Sequence, residues 1–171
     1  LFFISIYQNA LILAISLPLL AVMESTKALS VFDILIAALL LGFLILETVA
    51  DKQQNKFQIQ KYKLLNEGKK LEDLPSPYHI GFATHGLWKR SRHPNYFSEQ
   101  SIWIVLYFFC ISAGVTNYFF FNWTLIGSMV LILLFMGSST FSESVSLQKY
   151  PTYQDYMKQV PKYLPIGDYK N

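Results

Sequence analysis

The sequence predicts an all-α integral membrane fold with about four transmembrane helices. A helical extension continues the second of them and a short interfacial helix lies near the C-terminus, all in a single membrane domain over residues 1–171. Three observations predict this. Residues 2–23 carry no charge, and at about 1.5 Å per residue such a helix crosses the roughly 30 Å hydrocarbon core. Further apolar runs centre on residues 34–46, 101–116 and 121–139. The charges are segregated as well: nine of the 14 Lys and Arg lie between the second and third runs and four follow the fourth, so after four crossings 13 share one face. Uncharged runs of this length argue against buried helices of a soluble protein. The first run has neither the basic leader nor the small-residue cleavage pattern of a secretory signal.

The first helix carries Gln8 and Asn9 near its start and Pro18 near its end, and polar side chains at that depth are expected to face other helices. The chain opens on Leu1 within an apolar run rather than on Met, from which a start further upstream is expected. Residues 24–27 form a short loop, and Ser30 is placed to cap a second helix with Asp33 at its third position. That helix is expected to outrun the membrane. Glu47, Asp51, Gln54, Gln58 and Lys61 recur at steps of four, three, four and three, one polar stripe down one face. Glu47 stands within a turn of the apolar block, where an unpaired carboxylate is costly.

Residues 66–77 read as an exposed loop punctuated by Gly68, Pro75 and Pro77. His79 and His85 read as ordinary loop histidines, with no Cys or carboxylate at metal-ligand spacing. The third helix opens at Pro94, which suits a first helical position, and His93 before it is pushed towards extended geometry. Residues 117–123 form an aromatic turn expected at the far interface, and the fourth helix ends near Glu143. In the tail, Pro151 is a plausible helix start, which places Tyr153 and Tyr156 on one face of the interfacial segment.

The stretch 86–99 concentrates the chemistry, with Lys89, Arg90 and Arg92 beside His93, Asn95 and Glu99 at a helix start. Free N–H groups and a partial positive charge make such an end a ready anion site. With the aromatic faces of Trp88 and Tyr96, the set suits a nucleotide-like cofactor. Its pyrophosphate would rest on Arg90 and Arg92, and its polar heads would be reached by Asp51, Asn95 and Glu99. No glycine-rich dinucleotide fingerprint, catalytic triad, paired-carboxylate or metal constellation is present, and Cys110 stands alone within an apolar run. Topology accounts for the cations, so the net charge of +3 is no argument for nucleic acid. The positive-inside rule places residues 51–93 and the C-terminus on the cytosolic or matrix side.

The segments Glu47-Thr-Val-Ala-Asp51-Lys-Gln-Gln-Asn-Lys-Phe57 and Gly86-Leu-Trp-Lys-Arg-Ser-Arg-His-Pro-Asn-Tyr-Phe-Ser-Glu99 resemble the C-terminal half of the steroid 5-alpha-reductase-like membrane family. The nearest resemblance is to its bacterial and protist branch of uncharacterised members. The tail from Glu143 through Lys149-Tyr150-Pro151-Thr-Tyr153 to Pro161 resembles the family's ending. A shorter Arg-His-Pro-x-Tyr core is shared with isoprenylcysteine carboxyl methyltransferases, more distant kin. The resemblance implies a membrane reductase in which NADPH, lying among the C-terminal helices, reduces a carbon–carbon double bond of a sterol-like or lipid enone. Asp51, Asn95 and Glu99 match cofactor-pocket positions, Tyr150 and Tyr153 lie near the tail contacts, and Arg92 and His93 match the lipid-reductase branch. Ser98 stands where the family usually has Gly, and Arg90 where an aromatic is common. The family's substrate-polarising acid and tyrosine come from N-terminal helices that this chain is expected to lack.

The candidate cofactor-binding residues are therefore Glu47, Asp51, Gln54, Lys61, Trp88, Arg90, Arg92, His93, Asn95, Tyr96, Glu99, Glu143, Tyr150 and Tyr153, with no catalytic residue assigned. NADP is the expected cofactor and a lipid-like molecule the expected substrate, with membrane lipids around the helices. Two alternatives stand beside this. One is a methyltransferase using S-adenosylmethionine. The other is a non-catalytic relative without cofactor, packing against other membrane subunits.

Overall fold

The computed structural model describes residues 2–23, 25–115 and 122–170; Glu24 and residues 117–121 of the expected aromatic turn lie outside the described residues. Among the described residues there are five α-helices: α1 (Phe2–Met23), α2 (Val31–Asn66), α3 (Pro94–Ser112), α4 (Ile126–Lys149) and α5 (Tyr153–Gln159). No strand occurs among the described residues.

Local chemistry accounts for the helix ends. Ser30 N donates to Asp33 Oδ2 at 2.7 Å while Asp33 N donates to Ser30 Oγ at 3.3 Å, a reciprocal cap at the start of α2. No glycine or proline interrupts that helix after Gly42, so its 36 residues run on for about 54 Å, well beyond the hydrocarbon thickness. It stops where Gly68 takes φ +86° and its N–H turns back to Leu65 O at 3.0 Å. α3 opens on Pro94, as its missing N–H favours. Val115 N and Gly114 N close its other end onto Cys110 O and Ile111 O.

Among the described residues, three segments are long and apolar enough to cross a membrane: Ser5–Met23, Val31–Asn66 and Trp123–Lys149. Leu13, Leu35 and Leu133 on them are more than half exposed, as lipid-facing side chains must be. The remaining expected crossing, near 101–116, falls on α3. That helix has 19 residues and spends its first two turns on Pro94-Asn-Tyr-Phe-Ser-Glu-Gln-Ser101, which leaves too short an apolar run to join the three.

The chain divides into two compact units, Leu1–Leu44 with Ser98–Gly137, and Ile45–Phe97 with Ser138–Asn171. In the first, Pro18 lacks the N–H that would bond Ala14 O within α1. Gly127 of α4 packs directly on that stretch, where a Cβ would overlap the Ala14 carbonyl. Cys110 Sγ lies 3.3 Å from Pro18 O, so the thiol acts as a buried donor.

In the second unit, Ile80, Phe82, Tyr153, Tyr156, Val160 and Tyr169 form one buried cluster, and Phe57, Ala83 and Trp88 another. Both tyrosines that share the α5 face are thus built into a core, at 5% and 1% exposure. The tail beyond α5 fastens the loop ahead of α3. Arg92 N donates to Pro161 O, His93 N to Lys162 O, Gly167 N to Arg90 O and Tyr169 N to Lys89 O, all at 2.9–3.1 Å.

Close approach at Gly127 yields a prediction. Gly127→Val should destabilise the protein by roughly 1–3 kcal/mol, as overpacking does, whereas Gly137→Val, with open space around it, should not. Thermal unfolding in detergent, compared between the two variants, checks this.

Candidate functional site

Within the second unit, α2 brings Gln53 and Gln54 to the loop that precedes α3. Gln53 Oε1 accepts from Leu87 N at 2.9 Å, and Trp88 Nε1 donates to Ala50 O at 3.0 Å. The Tyr156 hydroxyl donates to the carbonyls of Trp88 and Ser91, which ties α5 to the same loop. Ser91 Oγ donates to Tyr163 O at 2.7 Å. The side chains that follow, Arg92, His93, Asn95 and Tyr96, are therefore held from three directions.

Glu143 of α4 stands at the centre. Arg92 Nε approaches its Oε1 at 2.9 Å, His93 Nε2 lies 3.0 Å from the same oxygen, and Lys162 Nζ is 3.8 Å from Oε2. The carboxylate is 7% exposed and the guanidinium 10%. Burial of this kind is tolerated because the charges compensate one another. Arg92 Nη1 also donates to Met157 O at 3.2 Å, and the His93 ring stacks on Tyr96 at 5.2 Å between centroids.

Beside this cluster lies a cavity of about 220 Å³, walled by the aromatic groups of Phe82, Trp88, Tyr96, Tyr153 and Tyr156 and by Gln54, Arg92, His93 and Asn95. A second cavity of about 400 Å³ shares Gln54, Phe82, Ser142 and Ser146 with it, and adds Gln58, Lys149 and Tyr150. The smaller is below the usual size of a drug-like ligand site, about 300–1,000 Å³, and the larger is within it. Side by side they suit a ligand of two parts. Asn95 Nδ2 donates to Asp51 Oδ1 at 3.0 Å, which fixes the amide and leaves its Oδ1 buried without a hydrogen-bond partner. Gln54 Oε1 is buried and unpartnered in the same way. Two unmet acceptors in an aromatic cavity can be met by water or by a ligand bearing N–H or O–H groups.

The phenols are held neutral. Burial, followed by the nearby Glu143 charge, pushes the Tyr153 hydroxyl up to about 12, and burial raises Tyr156 further.

Of the sequence-predicted residues, Gln54, Trp88, Arg92, His93, Asn95, Tyr96 and Tyr153 meet at the first cavity, Tyr150 lines the second, and Glu143 anchors the cluster. Asp51 is exposed and reaches the cavity only through Asn95. Lys61 points inward and donates to Gly81 O at 2.9 Å. There the Tyr150 ring lies so close that a Cβ on Gly81, at φ +90°, would collide with it. Arg90 is exposed and Glu47 half-buried, and neither lines either of these two cavities. Glu99 belongs to the first unit, where its carboxylate accepts from Trp103 Nε1 at 2.8 Å. The arrangement differs from a phosphate cradle on the basic loop: Arg92 is neutralised by Glu143, and the N–H groups of residues 92 and 93 are taken by the tail. Sequence reasoning missed Gln53, Phe82, Lys162 and Tyr163. Gln53 lies one residue off the polar stripe, and the others carry no spacing signal.

Comparison with known proteins places the chain among related sequences. A family model described as a protein of unknown function, DUF1295, matches residues 1–160. An uncharacterized protein of Schizosaccharomyces pombe is 29% identical over 183 residues, a match covering 98% of this chain and 49% of that protein. The chain therefore spans about half the length of this curated relative. No solved structure matches it.

Two predictions follow from the geometry. Glu143→Ala leaves Arg92 and Lys162 without their counter-charge and His93 without its hydrogen-bond partner, and should cost about 3–5 kcal/mol of stability by thermal unfolding, with Glu143→Gln costing less. Because the folded Tyr153 ionises near pH 12 rather than its ordinary 10, the contribution of that phenol is complete below pH 10 and is lost as pH rises through about 12. Tyrosinate absorbance should therefore show a late-titrating class that ionises together with unfolding, and Tyr153→Phe should shrink it.

Proposed function

The chain belongs to the DUF1295 family, and we propose that it is an NADPH-dependent membrane reductase acting on a carbon–carbon double bond of a sterol-like or lipid enone. The observation that carries this reading is the pair of buried, unpartnered acceptors, Gln54 Oε1 and Asn95 Oδ1, in a cavity with aromatic walls. A nicotinamide carboxamide or an adenine amino group brings the N–H donors that such acceptors need, and both rings are flat enough to lie on Trp88, Tyr96 or Tyr153. NADPH, when bound, supplies the hydride. The proton that completes the reduction would come from solvent, and the chain's own residues bind and orient: Asp51 fixes the Asn95 amide and the Glu143 cluster holds Arg92 and His93 at the wall. The match of Arg92 and His93 to the lipid-reductase branch supports a lipid-like substrate over a water-soluble one.

The chain is a membrane protein in contact with lipid through its apolar helices. We assign the basic segment 51–93 and the C-terminus to the cytosolic or matrix side, on the strength of the 13 cations they carry and of the backbone bonds from residues 89–93 to residues 161–169, which hold both on one face.

Titrating NADPH into the full-length protein in detergent, with nicotinamide fluorescence as the readout, tests the reading. Saturable binding is expected, and Gln54→Leu and Asn95→Ala should each weaken it by at least about fivefold, the low end of the cost of losing a buried hydrogen bond. Without ligand, Gln54→Leu should leave stability unchanged or raised, since it removes an unmet acceptor. Wild-type protein that binds no NADPH overturns the proposal. Saturation by S-adenosylmethionine instead would favour methyl transfer, and saturation by neither would favour a structural subunit.

A further inference from the structure

The first unit holds a cavity unrelated to the aromatic one. It measures about 410 Å³ and lies where α1 ends, α2 begins and α3 ends, with Leu19, Val22, Leu29, Phe109 and Ala113 among its walls and Lys27 at its rim. The connection through Lys27 joins two segments that each suit a membrane crossing, so it lies at a bilayer surface.

Its charges are unequal in kind. Asp33 also lines the cavity, but its carboxylate is satisfied locally, accepting from Ser30 N and Ser30 Oγ, both at 2.7 Å. Ser25 Oγ donates to Ala113 O at 3.0 Å and the Ser112 hydroxyl sits 3.3 Å from that of Ser30, so the small polar groups are occupied too. Lys27 is the sole Lys or Arg of segments 1–44 and 98–137. Its ammonium has neither ion pair nor hydrogen bond among the described residues, and it lies against Gly114, whose lack of a side chain leaves room for it. Leu29 beside it is 90% exposed.

We infer that this cavity is a binding site for an anionic phospholipid, with the phosphate on Lys27 and the upper acyl chain against Leu19, Leu29 and Phe109. The level in the membrane favours a lipid of the bilayer over a soluble anion, because headgroup phosphate and acyl chain are presented there at the heights of the ammonium and of the apolar walls. A lysine serves as a point-charge phosphate ligand without needing bidentate geometry. One basic residue in contact with a lipid of net negative charge is worth about a fivefold preference for it over a zwitterionic one.

Native mass spectrometry of the full-length protein, released from micelles doped with phosphatidylglycerol or phosphatidylcholine, tests this. The wild type should retain one phosphatidylglycerol in preference to phosphatidylcholine. Lys27→Gln should reduce that retention about fivefold, while Lys52→Gln, an exposed cation of the second unit, should not. Lys27 is exposed, so the variant should keep wild-type helicity by circular dichroism, which separates lost binding from lost folding. Equal retention by wild type and Lys27→Gln would overturn the inference. So would displacement of the phospholipid by oleate at equal concentration, which would mark a fatty-acid site instead.

Discussion

A carboxylate that leaves water must bring its counter-charges with it, and Glu143 is where this chain meets that demand. Arg92 and His93 come to it from the loop ahead of α3 and Lys162 from the tail, while Glu143 itself rides on α4. Three stretches distant in sequence are thereby committed to one point. The backbone bonds between residues 89–93 and 161–169, the hydroxyl of Tyr156 on the carbonyls of Trp88 and Ser91, and the stacking of His93 on Tyr96 all depend on that convergence. The aromatic cavity is the space left beside it.

This commitment changes what the cavity can offer a ligand. A basic loop at a helix start invites a phosphate, but a guanidinium already neutralised by a buried carboxylate has little field left to offer one. What the cavity offers instead is acceptor oxygens and flat rings. Selectivity then rests on unmet hydrogen bonds, which penalise a ligand that lacks donors more than they reward one that has them. The reductase proposal depends on this shift from charge to hydrogen-bond complementarity.

Much of the fold was legible in the residues alone. Uncharged runs marked α1 and the first half of α2, the Ser30–Asp33 pair marked a start, Pro94 marked another, and the polar stripe from Glu47 to Lys61 carried α2 past the apolar block. The count of crossings was less legible, because α3 divides its length between polar and apolar turns and the run read from sequence overlapped its end. Of the site, the Arg92–Tyr96 run and Glu143 stood out as chemistry-bearing. Their mutual pairing did not, since an ion pair 50 residues apart leaves no periodic trace. The inward turn of Lys61 was equally hidden: a lysine in a polar stripe looks solvated until the carbonyl of Gly81 is placed over it. Tyr153 and Tyr156 were correctly put on one face, and that face proved to be packed in a core.

The tail that locks the loop follows every described helix of this unit in chain order. Until residues 161–169 have left the ribosome, the N–H groups of Arg92 and His93 and the carbonyls of Lys89 and Arg90 have no such partners, although the helices on either side are already made. The bonds that fix the loop are thus deferred until residues 161–169 are made, after α2, α3, α4 and α5 have all been synthesised.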